Sequence, residues 1–151
     1  MAATEQDKHT LHRYFIWALN MRDHFREALD EQDIPDEPET PFETQVWLIK
    51  PFMYASYWFA TLFVVVEGYR ELRLADQRVD DLLRDEPNVD LLRRFRNGIY
   101  HYQRTYWDQR IRDFLNPAAT DWAQNLTQEF NRFFIEWIAP GGIELAIDES
   151  E

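Results

Sequence analysis

Apolar residues recur at helical intervals along most of the chain. Between Thr4 and Glu31, Leu11, Phe15, Ala18, Leu19, Phe25 and Leu29 are spaced by three, four and six among charged positions, which predicts a long amphipathic helix. From Gln32 to Glu43, Pro35, Pro38 and Pro41 stand among acids; such a stretch can neither continue a helix nor bury a face, and reads as an extended connector. Thr44 then offers an N-cap for a helix from about Gln45 to Leu74, with Pro51 in its first turns or at a kink and an aromatic block running from Phe52 to Phe63. Asp76 to Arg84 predicts a short helix, and Asp85, Glu86 and Pro87 a break after it. Asn88 is read as the next N-cap, for a helix carrying Leu91, Leu92, Phe95, Ile99 and Tyr102 as far as about Tyr106. Ile111, Phe114 and Leu115 suggest one more short helix, stopped at Asn116 and Pro117. Thr120 or Asp121 begins a last amphipathic helix through Trp122, Leu126, Phe130, Phe133, Phe134 and Trp137, stopped by Pro140, Gly141 and Gly142. Strand signals are nearly absent. The expected fold is all-α: an antiparallel up-and-down helical bundle of four main helices plus one or two short ones, a single domain over residues 1–142 followed by a loose acidic tail, 143–151.

At 151 residues the chain has room for one well-filled core, and its 45% hydrophobic and 16% aromatic content rules out disorder throughout. The absence of cysteine excludes disulfides, thiol catalysis and thiolate metal sites, and suits a reducing compartment. Met1 to Thr10 lacks a basic segment leading into an apolar run, so no secretory leader is expected and the cytoplasm is the expected location. The uncharged run from Pro51 to Val66 falls short of the roughly 18 apolar residues of a membrane span and is broken by Ser56 and Thr61, so a buried bundle helix is expected, with no membrane partner.

The formal net charge is −12, which disfavours nucleic-acid binding by the surface as a whole. Charge is uneven, however. The stretch from Arg84 to Asp113 carries seven arginines against five acids, leaving a local excess of +2 in a chain that is otherwise −14. A cationic strip of this kind is the electrostatic footprint of a localised anion site.

Of the chemistries open to a helical bundle, a carboxylate-bridged metal site requires Glu-x-x-His pairs, and none of His9, His12, His24 or His101 has an acid three residues before it. His9 and His12 share a helix face without an evident third ligand, so neither metal nor cofactor is expected. With only four glycines there is no phosphate-cradling loop, and no serine sits in a nucleophile elbow.

The cationic strip does carry chemistry. On a continuous helix Asn97 and His101 share a face, as do Arg93, Asn97, Tyr100 and Arg104, with Arg96 on the flank. A histidine that exchanges protons, an arginine that neutralises phosphoryl oxygens and an asparagine that orients them suit attack on a phosphodiester, for which RNA supplies its own 2′-hydroxyl nucleophile. Arg96 lies about 140° from His101 around such a helix, and two copies facing across a two-fold axis would close that gap.

The run Arg96-Asn97-Gly98-Ile99-Tyr100-His101 resembles the R-N-x-x-x-H signature of HEPN domains (higher eukaryotes and prokaryotes nucleotide-binding), and its place on a late helix after a long apolar one is similar to theirs. The resemblance implies an up-and-down bundle acting as a homodimeric, metal-independent endoribonuclease of the toxin or defence type. RNA is then the substrate, Arg96 and His101 are catalytic, Asn97 is accessory, and Arg93, Tyr100 and Arg104 lie toward the substrate. It also allows an antitoxin or nucleotidyltransferase partner. Some family toxins carry a modified tyrosine two places after the histidine; that place is Gln103 here, with Tyr102 one residue early. A non-catalytic module binding a nucleotide or a protein is the second expectation. Two positions stay open: Glu67, which either faces the site or marks a helix reaching solvent, and Gly98, which suggests close approach of a neighbour.

Overall fold

The computed structural model describes residues 2–31 and 41–138, of which 41–47 and 138 are described as backbone only. These residues form an all-α bundle of six helices without strands: α1 (Glu5–Glu31), α2 (Pro41–Glu71), α3 (Gln77–Leu83), α4 (Glu86–Tyr100), α5 (Gln109–Phe114) and α6 (Pro117–Ile138). Four are long and two short.

Local chemistry sets most of the helix ends. Thr4 and Asp7 cap α1 reciprocally, the Asp7 amide donating to Thr4 Oγ1 at 3.1 Å and the Thr4 amide to Asp7 Oδ2 at 2.9 Å. The hydrogen bonds from the Thr4 amide and hydroxyl hold the Asp7 carboxyl below its ordinary pKa. Helix α2 begins at Pro41, so the expected Thr44 cap and the connector assigned to 41–43 give way to a proline at the first helical position, where its missing N–H is harmless. The rest of that connector lies outside the described residues, as do the Pro140 to Gly142 stop and the 143–151 tail.

At the far end of α2, Arg73 adopts φ 53. The Leu74 amide reaches Tyr69 O at 3.1 Å and the Arg73 amide reaches Arg70 O at 3.0 Å, forming a Schellman turn on a non-glycine residue. Asp85, and not Asn88, caps α4, its carboxylate accepting the Asn88 amide at 3.2 Å. Asn116 and Pro117, expected to stop a helix, also start one: Asn116 Oδ1 accepts the Ala119 amide at 2.9 Å, so α6 begins before Thr120.

The largest correction concerns α4. It ends at Tyr100, six residues before the expected Tyr106, and His101 caps it in an extended conformation (φ −111, ψ 130). Gly98, buried in the last turn, lets α5 close in: a β-carbon at this position would sit 3.3 Å from Ile111 Cγ1 and 3.5 Å from Arg110 Cβ. The chain turns through residues 101–108 into α5, and Trp107 anchors that loop on Phe52, ring centroids 5.1 Å apart.

Helix α2 is the bundle's spine. Residues Leu48–Glu71 are long and apolar enough to cross a membrane by length and composition, yet more than half of that segment's most apolar window is buried against the other helices. Trp58, Leu62, Val65 and Tyr69 are essentially sealed and meet an aromatic core. Phe59 packs on Phe114 at 4.9 Å and on Phe95 at 5.9 Å, and Tyr69 packs on Phe130 at 5.6 Å. Such ring pairs each add roughly 0.5–1.5 kcal/mol beyond burial. One internal polar link crosses this core, from Trp58 Nε1 to Thr127 Oγ1 at 3.2 Å. Helices α2 and α4 run antiparallel, since Arg70 pairs with Glu86, Phe59 meets Phe95, and Phe52 and Ser56 lie beside Ile99.

Candidate functional site

Arg96 projects from α4 onto the exposed seam with α2. Its Nη1 donates to Asn97 Oδ1 at 3.1 Å, its Nη2 to Glu67 Oε2 at 3.3 Å, and its guanidinium carbon stands 5.6 Å from the centre of the Phe63 ring. The register explains the arrangement. Side chains on a helix tilt toward its N-terminus, and in an antiparallel pair that direction leads along α2 from Phe63 to Glu67. The guanidinium is therefore held on three sides by an amide, a carboxylate and an aromatic face, while its side chain remains about one-third exposed. Glu67, left open by its place after an apolar run, is exposed at the surface of α2 and also pairs with Arg96.

His101 lies elsewhere. Because α4 stops at Tyr100, the face that Asn97 and His101 were expected to share does not extend to the imidazole, and Arg104 also falls beyond the helix. The His101 amide still bonds Asn97 O at 3.2 Å, and the His101 carbonyl accepts Gln103 Nε2 at 2.7 Å, but the ring is exposed and makes no hydrogen bond among the described residues. Within one chain Arg96 reaches back to Glu67 and Phe63 on α2, while His101 stands just past the last turn of α4. The structure joins Arg96 with Asn97 and does not join either to the imidazole.

The three residues expected toward the substrate divide similarly. Tyr100 is 54% exposed on the last turn of α4. Arg93 is tied to Asp90 by two bonds of 3.1 and 2.6 Å, and Arg104 is exposed with no ion pair among the described residues. Much of the cationic strip is neutralised internally: Arg94 pairs with Asp113 at 3.1 Å, Arg110 with Asp108 at 2.9 Å, and Arg84 with Asp81. Hydrogen bonds from the Arg110 side chain and amide hold the Asp108 carboxyl below its ordinary pKa. Arg93 and Arg96 are likewise each paired with an acid, so among the described residues the arginines of the strip without an ion pair are the exposed Arg104 and Arg112.

Among the described residues no group of three or more His, Asp or Glu side chains is placed to hold a metal ion. His12 leans on the Phe134 ring at 5.6 Å, and burial followed by the nearby His9 pushes its pKa down. A crevice of about 480 Å³ between α1 and α2 is walled by Asp7, Glu67 and Glu71, a lining that repels phosphate. Neither Glu67 nor Phe63 could be assigned to Arg96 from spacing alone, because their role depends on how two helices pair.

No family model matches the chain, and neither a curated protein nor a solved structure is found similar to it.

Proposed function

We propose that the chain is a HEPN-like, metal-independent endoribonuclease of the toxin or defence type, acting in the cytoplasm as a homodimer. The observation that carries this reading is the Arg96 guanidinium, fixed on an exposed seam by Asn97, Glu67 and Phe63, five residues before an unencumbered histidine at the helix end. A guanidinium oriented by these bonds can turn its remaining N–H donors to the non-bridging oxygens of a phosphodiester and neutralise the charge that develops on them. In the reaction the 2′-oxygen bonds to phosphorus as its proton passes to the His101 imidazole, the P–O5′ bond breaks, and the leaving 5′-oxygen takes a proton from the imidazolium so formed. A 2′,3′-cyclic phosphate and a 5′-hydroxyl remain. Because Arg96 and His101 diverge within one chain, the site is composite: one protomer supplies the arginine and its partner the histidine.

The test is cleavage of single-stranded RNA in excess chelator, with loss in Arg96→Ala and in His101→Ala variants whose circular dichroism is unchanged. Mixing the two inactive variants adds a second readout. A composite site regains activity, about one quarter of wild type if subunits exchange at random and one of two sites per mixed dimer is whole. A site contained in one chain regains none. Cleavage that survives in either alanine variant overturns the assignment.

The divergence of the two groups also favours a second reading, a non-catalytic module in which Arg96 serves as an anion ligand. It predicts nucleotide binding that depends on Arg96, is indifferent to His101 and is accompanied by no cleavage.

A further inference from the structure

The surface one helical turn beyond Arg96 is not polar. Tyr57 (43% exposed), Tyr100 (54%), Tyr106 (55%) and Tyr102 (93%) gather where α2 passes the end of α4 and the loop after it, with Met53 (42%) beside them. Of these, Tyr57, Tyr106 and Met53 wall a recess of about 320 Å³ together with Ile49, Phe52 and Ile99. Ser56 also lines it. That serine is only 5% exposed, and its hydroxyl is the single buried side-chain polar atom without a hydrogen-bond partner among the described residues. An unpaired buried hydroxyl costs about 1–3 kcal/mol, so a recess that keeps one in an otherwise apolar lining is suited to a ligand with flat apolar faces and a polar edge.

We propose that this recess is a subsite for one unpaired nucleobase of a single-stranded nucleic acid, stacked against Tyr57 and Tyr106 with its polar edge toward Ser56. Three observations converge on that occupant. Tyrosine rings offer a stacking face to any base, and stacking on aromatic side chains is the usual source of single-strand affinity. Cationic groups flank the recess: Arg96, shared with Glu67 but still one-third exposed, stands at one end of the seam and Arg104, without an ion pair among the described residues, in the loop at the other. The spacing also fits, because Ile99 lies one turn after Arg96, about 4.5 Å along the axis, so a base in the recess belongs to the nucleotide next to the phosphate that Arg96 would hold. Base-paired strands cannot enter, since a base must leave its stack to reach the floor. An apolar protein surface would cover the tyrosines and leave Ser56 unsatisfied.

The proposal deepens the ribonuclease reading and rests on it for the phosphate at Arg96, but it is tested by binding, which does not require cleavage. The probe is a fluorescent single-stranded 2′-fluoro oligonucleotide, which lacks the attacking hydroxyl, titrated with the full chain and followed by anisotropy. Sedimentation at the same concentrations records the oligomeric state. Tyr57→Ala and Tyr106→Ala are expected to weaken binding about 5- to 100-fold each, with Tyr106→Phe retaining wild-type affinity. Ser56→Ala is expected to change the preference among homopolymers, and a duplex of the same sequence to bind no more tightly than the alanine variants. Wild-type affinity in both tyrosine-to-alanine variants overturns the subsite. So does conversion of a dimer to a monomer by those variants with single-strand affinity unchanged, which would assign the face to a second copy. Tyrosine-dependent binding without cleavage of natural RNA leaves the subsite standing and removes the nuclease. Cleavage indifferent to the tyrosines does the reverse.

Discussion

Replacing Thr127 by Val probes the polar link that crosses the core, and the structure fixes its expected magnitude. Thr127 is fully buried; its hydroxyl donates to Ala123 O at 2.8 Å and accepts the Trp58 indole N–H at 3.2 Å. Valine matches threonine in shape, so no cavity opens. The Ala123 carbonyl keeps its helical amide, and losing the extra hydroxyl bond matters little. The consequence falls on Trp58, only 1% exposed, whose indole N–H is left in the core without an acceptor. A stranded buried donor costs about 1–3 kcal/mol, and the methyl that replaces the hydroxyl recovers less than about 1 kcal/mol. A net loss of about 1–2 kcal/mol is expected, or roughly 2–8 °C in Tm for a domain of this size. Urea denaturation followed by circular dichroism measures it. Trp58→Phe removes the donor, so in that background Thr127→Val should be neutral or stabilising, giving a coupling of about 1–3 kcal/mol in the double-mutant cycle. A loss under about 0.5 kcal/mol, or an equal loss in both backgrounds, would refute the reasoning.

Glu67→Gln should lower stability by less than about 1 kcal/mol, because its pair with Arg96 is partly solvated, yet reduce RNA cleavage about tenfold in kcat with KM unchanged or lower, as the guanidinium loses its orientation. A weaker KM with intact kcat would remove Glu67 from the positioning role. Burial pushes the Asp76 carboxyl upward, but hydrogen bonds from Arg132 and from the Val79 and Arg78 amides outweigh it and hold the pKa below the ordinary 3.8. A depressed folded pKa contributes stability above the unfolded value and loses it as pH falls through the folded one, so the gap in urea midpoint between wild type and Asp76→Asn should be full at neutral pH and close under strong acid. At Gly98, alanine should be close to neutral, its helix propensity offsetting a contact 3.3 Å from Ile111 Cγ1, whereas valine should cost about 1–3 kcal/mol by pushing α5 away. A neutral valine variant in the same urea assay would show that the two helices do not approach so closely.

The architecture was legible because it depends on period. Of the stripe expected on α4, Leu92 and Phe95 are buried and Leu91 and Ile99 half-buried, with Val89 and Gly98 completing the buried face, and α6 buries Trp122, Leu126, Phe130, Phe133 and Phe134 as expected. Boundaries were less legible where one residue serves two ends. Asn116 and Pro117 stop α5 and start α6, and only the first role is evident from the preceding pattern. Tyr102 continues the α4 stripe by spacing alone but stands 93% exposed. What ends α4 is tertiary, the approach of α5 over Gly98 and the anchoring of Trp107 on Phe52, and neither leaves a mark in the periodicity.

The same distinction governs the site. Residue type and order bring out Arg96, Asn97 and His101, because proton exchange and charge neutralisation require those groups whatever the fold. Direction is another matter, and it is set by pairing. A helical side chain leans toward its own N-terminus, so placing α4 antiparallel to α2 commits Arg96 to Phe63 and Glu67, just as ending the helix at Tyr100 commits His101 to the loop. Among the described residues the guanidinium is bonded to Glu67 and Asn97 and not to the imidazole of its own chain. The proposed composite site needs a second copy to bring the two groups together, so mixing Arg96→Ala with His101→Ala chains decides between a one-chain and a two-chain site.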